Sequence, residues 1–230
     1  MESGEKRSGF IHCRPNRRRN QRLKEDRPEQ VRAVRVKMLT ETDFLVLNAV
    51  YLKKVVAAPQ VIEMTGAEVD DVARCLAAAK EQGWLMEMDM GGVDGVMLLE
   101  DGIAQVMSYY QEVYADLRSD TVLSDWYQSF ESLNKRFVVD VTEWQETDGS
   151  DRSEQRVLQT AERLAKDIGR LVPIIPRYSG YVGRMERSMD RVDAGERDYV
   201  CNPTIDSVHN IWFEFHEDIL TVLGRERDTT

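Results

Sequence analysis

Residues that commonly carry catalysis and metal binding are scarce in this sequence of 230 amino acids, which has three cysteines and three histidines. Cys13, Cys75 and Cys201 lie far apart, form no metal-type pair and are too few for a disulfide framework, so they read as reduced thiols. There is no Gly-rich phosphate loop, nucleophile elbow or His-Glu-x-x-His zinc motif. With one of the three histidines in the N-terminal arm, little material remains for a catalytic triad or a His-rich metal centre. Long apolar runs are missing too. The stretch Leu171-Val172-Pro173-Ile174-Ile175 is among the longest, against roughly 20 residues needed to cross a bilayer. No membrane span is expected, and the polar, Arg-rich start without an apolar segment points to a cytoplasmic location with no secretory signal. These absences assign no catalytic residue, no metal and no cofactor, and the chain reads as non-enzymatic.

Charge is abundant but unevenly placed. Residues 1–37 hold 12 Lys and Arg against 5 Asp and Glu, a charge of +7, so the net charge of −10 leaves −17 on residues 38–230. The arm has few apolar residues and no period, which predicts a solvated tail. Arg14, Arg17, Arg18, Arg19 and Arg22 are its candidate phosphate contacts, since Arg-rich arms bind nucleic acid through charge and counterion release. Two plainer readings stand beside this one: a tail with no target, and a translation start near Met38 that would leave the arm outside the protein.

Beyond the arm the pattern is mainly α. Thr40 caps a first helix over about 41–56 with Phe44, Leu45, Leu47, Leu52, Val55 and Val56 on a broad apolar face. Pro59 suits the first turn of a short second helix that ends at Thr65-Gly66. A third helix from about Ala67 to Gly83 places Val69, Val72, Ala73, Leu76 and Ala77 inward. Alternation over Trp84–Met90 and Val96–Leu99, around Gly91-Gly92-Val93-Asp94-Gly95, predicts a β-hairpin, followed by a further helix through Ile103, Val106, Met107 and Tyr110.

Three helices, a hairpin and a following helix, with Gly83-Trp84 closing the third helix and Leu99-x-x-Gly102 after the hairpin, resemble a winged helix of the MarR type over residues 38–118. That resemblance implies helix-turn-helix DNA binding and transcription regulation, with the third helix in the major groove and the hairpin wing on the adjacent backbone. The charges depart from it. Between Glu63 and Asp101 there are ten acidic residues and two basic ones, Arg74 and Lys80, which are the candidate DNA contacts of this part. The same fold without a basic surface is a plausible protein-contact module.

Residues 119–230 read as a helical, bundle-like effector, dimerisation or partner-binding domain. Val122, Leu123, Trp126, Phe130, Leu133, Phe137 and Val138 line one helix, Val157 to Val172 a second, Tyr178 to Val192 a third, and Asp206 to Leu223 a last one before Gly224. Arg177, Arg184, Arg187 and Arg191 fall along one side and are candidates to hold an anion, with pairing to Glu186, Asp190 and Asp193 as the plainer reading. His209 and His216, seven apart, are too few ligands for a metal and read as structural. Trp212, Phe213 and Phe215, with Trp126, Tyr127 and Trp144, are candidates for an aromatic effector pocket or simply for core. The effector candidates are therefore Arg184, Arg187, Arg191 and Trp212.

Tyr127-x-x-Phe130-x-x-Leu133-Asn134, Thr142-Glu143-Trp144-Gln145 and the block Asp206 to Asp218 resemble a helical module found behind a winged helix in proteins linked to phosphoenolpyruvate-utilising, pyruvate phosphate dikinase-like enzymes. No ATP-grasp region, swivelling phosphohistidine domain or phosphoenolpyruvate-binding barrel is present, so the resemblance implies an accessory piece rather than the enzyme. Two functions follow as expectations: a homodimeric MarR-like regulator acting on DNA, or an accessory subunit of a phosphoenolpyruvate-utilising phosphotransferase whose winged helix binds protein.

Overall fold

The computed structural model describes residues 38–89 and 91–226; the arm, and with it Arg14, Arg17, Arg18, Arg19 and Arg22, lies outside them. Helix α1 (Glu41–Lys53) starts where the Thr40 hydroxyl accepts the Asp43 amide at 3.1 Å, with Glu41 and Asp43 in the first turn against the positive end of the dipole. Phe44, Val46, Leu47, Asn48, Ala49, Val50 and Leu52 are all buried, so α1 is enclosed on most sides rather than amphipathic. It packs on α2 (Ala58–Thr65), α3 (Val69–Glu81), strand β2 (Asp94–Leu98), α4 (Glu100–Val113) and α9 (Val208–Leu223). It ends three residues before the predicted Val56. Lys54 turns to φ 66°, and Val56 leaves the helix to bridge Val96, donating to its carbonyl at 3.1 Å and accepting its amide at 2.8 Å.

Strand β1 (Leu85–Asp89) pairs antiparallel with β2 in the register Leu85↔Leu98 to Asp89↔Asp94, as the alternation predicts. The hairpin is held to α4 at a tight crossing. The Leu99 amide donates to the Trp84 carbonyl at 2.8 Å, and a Cβ at position 102 would stand 2.3 Å from that same oxygen. Gly102 is therefore required by close backbone approach.

The inner face of α3 is rotated from the predicted one. Val72, Cys75 and Ala79 are buried and Leu76 half-buried, while Val69, Ala73 and Ala77 point to solvent. Cys75 and Ala79 fill the inward stripe instead, because α1 and β1 pack on that side of the helix.

A short 3-10 turn at Asp116–Ser119 leads into α5 (Thr121–Glu146), capped by the Asp120 carboxylate on the Val122 and Leu123 amides. Leu123, Tyr127, Phe130, Leu133, Phe137 and Val141 face inward on α5, and the predicted inward residues Val122 and Val138 are 66 % and 55 % exposed. Helix α6 (Asp151–Gly169) opens on Ser150, whose hydroxyl accepts the Ser153 amide, and packs between α5 and α7 (Ser179–Asp193). A 3-10 turn over Pro176–Tyr178 leads into α7. A four-residue helix α8 (Asp198–Cys201), which the apolar spacing does not predict, precedes α9, which Ser207 caps and Gly224 closes in the left-handed conformation.

Among the described residues the fold is thus mainly α, with nine helices and one two-stranded sheet. Contacts of α9 with α1 and α4, and of α7 with α2, cross the expected boundary at 118/119, and one hydrophobic core runs through both segments. No helix among the described residues is long and apolar enough to cross a membrane.

Candidate functional site: the α3–hairpin face and the buried charged network

Both candidate DNA contacts of the folded part are already engaged. Arg74 lies 3.0 Å from Asp71 and 3.4 Å from Asp43, and Lys80 lies 2.7 Å from Glu87 of β1. The Asp71 hydrogen bond, with the Asp43 charge beside it, raises the Arg74 guanidinium further above its ordinary value. Around these pairs Glu68, Asp70, Glu81, Asp89 and Asp94 are exposed. Val69 is 62 % exposed on α3, Met86 42 % on β1, where alternation turns it to the face of the strand opposite Glu87, and Val93 53 % at the hairpin tip. A phosphate approaching this face meets carboxylates and methyl groups, with each cation held by a carboxylate of the same surface.

The interior carries the opposite arrangement, cations and carboxylates matched away from water. Asp218 of α9 is fully buried and takes both ends of the Arg177 guanidinium, together with the Tyr181 hydroxyl at 2.8 Å and the Tyr178 hydroxyl at 3.3 Å. Arg177 also donates through Nε to the Tyr114 hydroxyl at 2.8 Å and lies 5.4 Å from the centre of the Phe44 ring. Burial works against the charge of Arg177, but the Asp218 carboxylate holds its pKa well above the ordinary value. Burial, reinforced by the Asp218 charge, raises Tyr178 and Tyr181, so both phenols stay protonated and donate.

A second knot lies one turn along. Arg184 donates to Asp206 through Nε at 2.8 Å and to Glu214 through Nη2 at 2.6 Å, and Lys53 of α1 reaches Glu214 at 2.6 Å and Asp206 at 3.6 Å. Against the burial that pushes it up, Asp206 is held below the usual carboxylate range by the Arg184 hydrogen bond and charge, with Lys53 behind. The predicted arginine row is therefore split. Arg177 and Arg184 are buried and paired with α9 and the loop before it, not with Glu186, Asp190 and Asp193; Arg187 is exposed, and Arg191 pairs with Glu196 at 2.8 Å.

Trp212 does not join these arginines. It stacks on Phe137 with ring centres 3.8 Å apart, donates from Nε1 to Asn134 at 2.8 Å and is 2 % exposed. Two positions along α9, Glu214 turns the other way, toward Arg184, so Trp212 and Arg184 stand on different faces of one helix. Trp126 stacks on Phe130 and Phe215 is fully buried, which makes most of the predicted aromatic set core. Trp212 and Phe213 line a surface cleft with Phe137, His209 and His216 instead of with Trp126, Tyr127 and Trp144. His216 Nε2 lies 3.2 Å from the Tyr127 hydroxyl, and burial lowers the pKa of His209. Among the described residues no group of three or more His, Cys, Asp or Glu is placed to hold a metal ion.

Lys53, Tyr181 and Asn48 entered no candidate set. Their usable signal was Glu214 and Asp218, two carboxylates four apart on the same side of α9 as its apolar residues Ile211 and Phe215, which cannot be buried without cations or donors facing them. Compared with models of known families, with curated proteins and with solved structures, the chain matches none.

Proposed function

We propose that the chain is a non-enzymatic accessory protein, in which residues 38–118 form a winged-helix module whose α3–hairpin face binds a protein rather than the DNA major groove. The observation that carries this is the ion pairing of Arg74 and Lys80 among exposed carboxylates, with Val69 exposed on α3, Val93 at the hairpin tip and Met86 on the other side of β1. Reading DNA there would require breaking these pairs and bringing like charge against a polyanion, whereas aliphatic side chains ringed by acid suit a partner patch with matching apolar and basic groups. The likeness of the C-terminal half to the module in phosphoenolpyruvate-utilising enzymes nominates a phosphotransferase of that class as the partner.

The regulator reading keeps one observation of its own, the +7 charge of residues 1–37. A photo-crosslinking residue at Met86, followed by reconstitution of the captured complex from purified proteins, tests the two together. Protein binding that falls at least tenfold with Val69→Asp or Met86→Asp supports the accessory reading. Tight, sequence-selective binding of upstream DNA that falls when Arg74 and Lys80 are replaced by Ala refutes it.

A further inference from the structure

An open groove of about 810 Å³ runs between α6 and α7. Its α6 wall holds the helical stripe Leu158, Glu162, Ala165 and Gly169, and its α7 wall the stripe Val182, Glu186, Met189 and Asp193, both at spacings of four, three and four. Leu158, Val182 and Met189 pack on the core yet stay half-buried, and Ala165 is buried, so the floor is apolar. From Gln155 to Gly169 the α6 wall spans 14 residue steps, about 21 Å at the helical rise. A third helix of about four turns fits that length.

Charge on the rims selects the occupant. Glu162, Glu186, Asp190 and Asp193 are exposed there against one cation, Lys166, which Glu162 holds at 2.8 Å. Glu186, Asp190 and Asp193 form no ion pair among the described residues. Asp190 and Asp193 also stand in the last turn of α7, where the backbone dipole presents its negative end and carboxylates are unfavourable unless a cation faces them. Arg191 of that turn is spent on Glu196 at 2.8 Å. A nucleic acid would meet repulsion here, and so would the body of a second copy, since residues 38–230 carry −17.

We propose that the α6–α7 groove is a docking site for a basic amphipathic helix of a partner protein, with apolar residues at i, i+3 or i+4, and i+7 and with Lys or Arg on its flanks. The apolar stripe rests on Leu158, Ala165, Val182 and Met189, and the flanking cations meet Glu186, Asp190 and Asp193. The groove shares no residue with the α3–hairpin face, so contact at one does not require contact at the other.

Three labelled peptides of about 15 residues probe the groove in the full chain, read by fluorescence anisotropy. The first is a helical peptide with a Leu stripe flanked by Lys; the second replaces every Lys by Glu; the third scrambles the first and keeps its charge. The Lys–Leu helix is expected to bind saturably at micromolar concentration, at least tenfold tighter than either of the others. Glu186→Lys with Asp190→Lys, both at exposed positions, weakens it at least tenfold, and Met189→Gln, which keeps the side-chain length, at least threefold. Asp125→Lys with Glu146→Lys removes the same charge from exposed positions of α5 outside the groove and changes binding less than twofold. Equal binding of the scrambled peptide overturns the proposal, as does equal weakening by the α5 pair or unchanged binding by the folded Glu186→Lys, Asp190→Lys chain. A dimer of the full chain that these same two substitutions dissociate overturns it too, because a second copy would then fill the groove.

Discussion

Replacing Asp218 by Asn preserves volume and leaves an oxygen for Tyr181, but removes the carboxylate that holds Arg177, itself 7 % exposed. Breaking a buried pair from one side costs about 3–5 kcal/mol, because the remaining charge is stranded in a poorly polarisable interior. Arg177→Met strands the other charge, Asp218, whose side chain is 0 % exposed, and falls in the same range of about 3–5 kcal/mol. The double variant carries neither charge. Its main losses are the weak Tyr178 hydrogen bond at 3.3 Å and the Tyr114 contact at 2.8 Å, together about 2–6 kcal/mol if each leaves a hydroxyl unsatisfied. The two singles sum to roughly 6–10 kcal/mol, so the coupling energy is expected near the mid-range difference of about 4 kcal/mol. Urea unfolding followed in parallel by tryptophan fluorescence and far-UV circular dichroism measures all four corners of the cycle. Additivity within about 0.5 kcal/mol, or single variants each costing under about 1 kcal/mol, would refute the assignment of this pair as a coupled tie between α9 and the turn before α7.

Two further consequences are local. Gly102→Ala is expected to destabilise by about 1–3 kcal/mol, since its Cβ would lie 2.3 Å from the Trp84 carbonyl oxygen and only a backbone shift can relieve it; an unchanged thermal midpoint would show that the α4–hairpin crossing is looser than described. Burial lowers the His209 pKa below its ordinary 6.5, so the folded state resists protonation, and stability is expected to fall as pH drops below about 6.5 toward the folded value and to be fully present above it. His209→Gln removes that part of the pH dependence in denaturant titrations, and an unaltered slope between about pH 5 and 7 counts against a lowered His209 pKa.

What the sequence made legible was local chemistry. Thr40, Gly66, the alternation from Leu85 to Asp89, and Gly224 each act within a few residues, and the corresponding helix starts, stops and hairpin lie close to where the spacing places them. The misreadings are cases where a distant segment decided. Val56 belongs to the apolar face of α1 by period, yet pairing with Val96, forty residues on, takes it out of the helix. Val69, Ala73 and Ala77 fit an inward stripe on α3 as well as Val72, Cys75 and Ala79 do, and only the placement of α1 and β1 selects between them. The arginine row had the right residue type and the wrong partners. Glu186, Asp190 and Asp193 are near in sequence, but Asp206, Glu214 and Asp218 are near in space, because α9 packs against α7.

The location of the cations bears on function more than their number does. The buried network is neutral, three cations against three carboxylates, so it consumes none of the −17 carried by residues 38–230. That acidity must appear on the outside, and on the α3–hairpin face the pairs Arg74–Asp71 and Lys80–Glu87 consume the cations that were there. If the proposed accessory function holds, its protein partner is one drawn in by positive charge and held by contact with residues such as Val69, Met86 and Val93, and its association should slow with added salt while the apolar contact persists. A nucleic acid would meet the reverse: repulsion from the folded face and attraction only to the arm, so that its binding would vanish on deletion of residues 1–37 and survive substitution of Met86. The two partners thus place opposite demands on the same two variants, and measuring both on one preparation separates a protein-contact module from a DNA reader even while both ligands are unidentified.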